Sequence, residues 1–113
     1  MVRSKAEEQE EVVRSSGNVF ADLGFDDAEE RQTKVRLAAA IHQLLLQRRL
    51  SQTEAARQLG INQPKVSALL NYRLEGFSVE RLMRFLTALD QDVQIVIRSK
   101  PRSRAARISV TAA

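Results

Sequence analysis

Between Asn62 and Arg73 the chain reads NQPKVSALLNYR, and every fourth position, Gln63, Ser67 and Asn71, ends in an amide or a hydroxyl. Such groups suit hydrogen-bonded recognition: a glutamine amide can pair with N6 and N7 of adenine together. At about 100° per residue, Val66, Leu69, Leu70 and Arg73 fall on one side of a helix, while Pro64, Ala68 and Asn71 point the opposite way. Gln63 and Ser67 flank that outer face, whose small or amide side chains permit close approach to a major groove, and Ala68 can touch a thymine methyl. The expected base-facing set is therefore Gln63, Pro64, Ser67, Ala68 and Asn71, with Gln63 the main reader. Lys65, Arg48, Arg49 and Arg73 are expected on phosphates, which orient a protein without reading sequence. The plain alternative for each of these residues is solvated surface.

Other chemistries find little support. No cysteine is present, so a disulfide framework and a thiolate metal site are both excluded, and the single histidine, His42, cannot build a zinc cage. His42 is expected to be a structural residue of the first helix. Glu7, Glu8, Glu10 and Glu11 form a charge run rather than a catalytic pair, and no glycine-rich phosphate loop or nucleophile elbow occurs. An enzyme is not expected, nor is a cofactor or a metal.

The elements that must position these side chains are marked by caps. Ser51 and Glu54 form a capping box that opens a short helix containing Ala55, Ala56 and Leu59 and stopped by Gly60. Asn62 caps the next helix, with Pro64 in its first turn and with Ile61 and Val66 as a hydrophobic staple. Two short helices thus meet across a tight turn, where Ala56 allows close crossing and Gly60 tolerates positive φ. Upstream, Asp26 and Glu29 predict the start of a long helix reaching about Arg49, with Leu37, Ile41, Leu44 and Leu45 on its apolar stripe. Downstream, Asn71–Gly76 reads as a loop, and Ser78 caps a final helix with Leu82, Phe85, Leu86 and Leu89 on its core face. With 43% hydrophobic residues but only 4% aromatic and no Trp, the core must be aliphatic, which suits a mainly all-α helical bundle.

Beyond Asp90 the pattern changes. DVQIVIR is β-branched and partly alternating, so it predicts a strand with Val93, Ile95 and Ile97 on one face. A lone strand cannot be stable; the simplest partner is the same strand of a second copy, giving a homodimer. Three organisational units follow: a mobile acidic arm over 1–17, a domain with its dimerisation strand over 18–98, and a disordered basic tail over 99–113. Residues 1–30 carry three basic and nine acidic residues, whereas 31–113 carry 15 basic and five acidic ones, and such a basic body suits nucleic acid. No stretch approaches the roughly 18 apolar residues of a membrane span, and the N-terminus lacks a signal peptide's apolar region, so a cytoplasmic protein without membrane contact is expected.

Taken together, QTEAARQLGINQPKVSALL and its surroundings from about Leu50 to Leu89 resemble the lambda-repressor-like Xre family of helix-turn-helix proteins. The resemblance implies that Gln52 stands at a phosphate-binding position and that Gln63, Pro64 and Ala68 stand at base-facing ones. The NVFADLG opening, NQPKVSALL, GFSVERL and VQIVIR are further similar, over roughly Ser16 to Arg98, to HigA-type antitoxins of toxin-antitoxin pairs. That likeness implies a dimer that binds double-stranded DNA, represses its own operon and neutralises a cognate mRNA-cleaving toxin. Pro64 has no side-chain donor and Ala68 no polar group, so readout is expected to lean on Gln63, Ser67, Asn71 and DNA shape. The alternatives are a stand-alone Xre-type regulator and a protein-interaction module without a DNA role.

Overall fold

The structure, a computed structural model, describes residues 27–112. The acidic arm, the NVFADLG segment and the expected cap Asp26 lie outside the described residues. Four helices follow one another among those described: α1 (Asp27–Gln47), α2 (Gln52–Leu59), α3 (Gln63–Leu70) and α4 (Val79–Ala88).

Local chemistry accounts for where each of the last three begins. Ser51 Oγ accepts from the Glu54 N–H at 3.1 Å while the Ser51 N–H donates to Glu54 Oε1 at 2.9 Å, closing the capping box of α2. Asn62 Oδ1 accepts from the Lys65 N–H at 2.9 Å to start α3, and Ser78 Oγ accepts from the Arg81 N–H at 3.0 Å to start α4. Pro64 sits in the first turn of α3, where its missing N–H leaves no helical bond unmade.

The helix ends share one device. α2 stops at Gly60, whose φ of 72° is left-handed, and Arg49, Tyr72 and Asp90 hold the same conformation after α1, α3 and α4 at φ 55°, 59° and 66°. After each of these three turns the next N–H reaches back: Leu50 to the Leu45 carbonyl, Arg73 to Ala68 and Gln91 to Leu86. These are Schellman closures, which satisfy carbonyls that a helix end would leave bare. α1 therefore ends at Gln47, short of the expected Arg49, because Arg49 has already left the helical region.

α1 packs chiefly on α4 and α2 on α3, with smaller α1–α3 and α2–α4 contacts. Leu37, Ile41 and Leu45 of α1 meet Val66 and Leu69 of α3 and Leu82, Phe85, Leu86 and Leu89 at α4 in one buried cluster. Phe77 and Phe85 stack edge to face within it, at 5.8 Å between centroids. Leu74, inside the expected loop, is also buried there. At the α2–α3 crossing Ala55 is the fully buried small residue, whereas Ala56, to which close crossing was assigned, is half-buried against the core.

The expected strand over 92–98 is not formed in the single chain, where residues 91–112 carry no regular secondary structure. A strand needs a ladder partner, and no other strand occurs among the described residues. Nor do its apolar residues share a face: Val93 packs on the core, while Ile95 and Ile97 are 75% and 91% exposed. Further on, where a disordered tail was expected, the Ile108 N–H donates to Glu29 Oε2 at 3.0 Å and Val110 packs against the core cluster.

Candidate nucleic-acid interface

α3 is held by Val66 and Leu69, which are fully buried, so its opposite face is turned outward by packing rather than by helical arithmetic alone. Gln63, Pro64 and Asn71 are exposed and Ser67 is half-buried. Ala68 is likewise half-buried and packs on the core cluster.

Two of these side chains are held in place. Gln63 Nε2 donates to Thr53 Oγ1 of α2 at 2.8 Å, and Asn71 Nδ2 donates to the Ser67 carbonyl at 2.8 Å and to Ser67 Oγ at 3.4 Å. Asn71 and Ser67 thus act as one polar unit at the C-terminal end of α3, and Gln63 and Thr53 as another at its N-terminal end. Gln52 is exposed in the first turn of α2, next in sequence to Thr53.

The expected phosphate contacts divide. Arg49 and Arg73 are exposed, each beside or within a left-handed helix end. Arg48, by contrast, donates to the Leu89 carbonyl at 2.6 Å, tying the end of α1 to the end of α4, where a cation also meets the negative pole of the helix. Lys65 is half-buried with its ammonium 5.6 Å from the centroid of the Phe77 ring, a cation–π placement that draws it toward the body. His42 accepts its structural reading plainly: Nδ1 lies 3.3 Å from the Tyr72 hydroxyl, beside the turn that ends α3.

Among the described residues no cluster of acidic or histidine side chains could hold a metal ion, and no helix is long and apolar enough to cross a membrane. Among the described residues the one clear titration effect is at Glu54, whose carboxyl is held below its usual value by the Ser51 backbone N–H and then by the Ser51 side chain.

Residues 19–98 match a helix-turn-helix domain family. A solved structure described as an XRE-family transcriptional regulator is 73% identical in sequence, covers 78% of this chain and 100% of its own, and superposes with a TM-score of 0.75. The chain belongs to the XRE helix-turn-helix family. No curated protein matches it.

For this XRE-family chain, sequence reasoning missed Thr53, whose only signal was its place in the first turn of α2, ten residues before Gln63. Crossing helices bring those two N-terminal turns together, which a linear reading of α3 does not reveal. The contacts of Arg48 and Lys65 within the fold were likewise hidden, because both partners, Leu89 and Phe77, are remote in sequence.

Proposed function

We propose that this protein is a sequence-specific, DNA-binding transcriptional repressor that works as a homodimer. The observation that carries the reading is the outward face of α3, where Gln63 and the Ser67–Asn71 pair stand ready for base edges on a helix pinned from behind. Gln52, Arg49 and Arg73 are assigned to phosphates, with Arg48 and Lys65 reaching the backbone only by leaving their present partners. Pro64 and Ala68 contribute close approach rather than polar readout. Dimerisation is assigned to Val93, Ile95 and Ile97 through pairing of the same segment in two copies, and the exposed Ile95–Ile97 run supports it.

Within that reading the protein serves as the antitoxin of a toxin-antitoxin pair, a role supported by the similarity of its sequence motifs to HigA-type antitoxins. The relative's description as an XRE-family regulator favours a stand-alone regulator equally well. A small basic reading frame next to this gene, whose product co-purifies with the protein, supports the antitoxin; its absence supports the stand-alone regulator.

The DNA role is tested by binding to the protein's own upstream promoter against a scrambled duplex over a salt series. The expected outcome is a preference of about a thousandfold or more with a steep salt slope. Equal binding to both duplexes removes the repressor and leaves the interaction module.

A further inference from the structure

We propose that Thr53 is the positioning residue for Gln63, fixing its amide in the orientation that reads a base pair; the inference rests on the DNA-reading function above. An exposed glutamine needs no protein partner, since water satisfies it, so a 2.8 Å bond from Gln63 Nε2 to a hydroxyl on another helix is a constraint with a consequence. Threonine is suited to impose it. Its branched Cβ stiffens χ1, and in the first turn of α2 there is no helical carbonyl four residues back to capture the hydroxyl.

The bond also determines what Gln63 has left to offer. One Nε2 hydrogen goes to Thr53, leaving one N–H and Oε1, a donor and an acceptor side by side. Adenine presents the complement, N7 as acceptor and N6 as donor, in the major groove. Holding the long side chain in advance removes part of the ordering cost that binding would otherwise carry. Thr53 thus sharpens specificity without touching a base, and it acts through Gln63.

The test compares Thr53→Val, which keeps shape and branching but lacks the hydroxyl, with Thr53→Ser, which keeps the hydroxyl, in promoter-against-scrambled binding by the full chain. Thr53→Val is expected to cut the preference about three- to tenfold, with Thr53→Ser close to wild type and binding to scrambled DNA unchanged. In a Gln63→Ala background, Thr53→Val is expected to cost nothing further. Additive losses would mean that Thr53 meets DNA on its own account, and an unchanged preference in Thr53→Val with a loss in Gln63→Ala would mean that Gln63 needs no positioning; either overturns the proposal. A wild-type protein with no preference at all overturns the DNA-reading function instead. The contact itself is then judged by NMR of the free protein, where the Gln63 side-chain amide is expected to lose its ordered signature in Thr53→Val but keep it in Thr53→Ser.

Discussion

A cationic side chain near the exposed face of α3 invites assignment to a phosphate, and Arg48 has in addition a partner within the fold. Its guanidinium is bonded to the carbonyl of Leu89 at 2.6 Å, where it closes the junction between the ends of α1 and α4. A charge-assisted bond of this kind in a partly exposed place is worth about 1–2 kcal/mol. Arg48→Ala is therefore expected to lower stability to denaturant by about that amount while leaving the salt slope of DNA binding unchanged. A slope reduced by about one with stability intact would return Arg48 to the phosphates. Neighbouring Arg49 is exposed and holds the left-handed conformation that closes the end of α1.

Among the elements, α2 carries the clearest local instructions, and two of them can be tested separately. Gly60 ends it at φ 72°, and nothing lies within 4 Å of where a Cβ would stand. The penalty of Gly60→Ala is thus one of backbone conformation alone, expected at about 1 kcal/mol in thermal or denaturant unfolding. A much larger loss would point to crowding at the turn that the geometry does not contain. At the other end, the Ser51 N–H and side chain hold the Glu54 carboxyl below its usual 4.5, so the charged form is favoured in the folded state. The folded-state value is depressed, and the contribution is present above the unfolded value and lost as pH falls through the folded one. The melting temperature of wild type is expected to fall more between about pH 6 and about pH 3 than that of Glu54→Gln. Parallel curves would show the capping carboxylate to be without effect on stability.

For the whole molecule, the question is what the segment after α4 does. Val93 anchors its start on the core, and Ile108 and Val110 bring its end back to α1. The Ile95–Ile97 run between them is left facing solvent, a costly arrangement for a branched apolar triplet unless a second copy covers it. Replacing Ile95 and Ile97 with Lys is expected to turn a dimer into a monomer by sedimentation, with helical circular dichroism unchanged, since neither side chain supports the core. A wild-type monomer in the same experiment would remove the dimer from the proposed function.

The amino-acid sequence by itself determined where α2, α3 and α4 begin, where α2 ends and which leucines of α1 and α4 form the core, because caps, glycine and periodicity act within a few residues of chain. It also indicated the outward face of α3, since burial of Val66 and Leu69 leaves Gln63, Pro64 and Asn71 outside. Only the tertiary structure decided the partners of those side chains. The Gln63–Thr53 bond needs two helices to cross, the Arg48–Leu89 bond needs α1 to lie against α4, and Lys65 needs Phe77 beside it. Left-handed turns at Arg49, Tyr72 and Asp90 escaped notice for a related reason: no glycine announces them, and the packing on either side of each turn imposes a conformation that the residue alone would not choose.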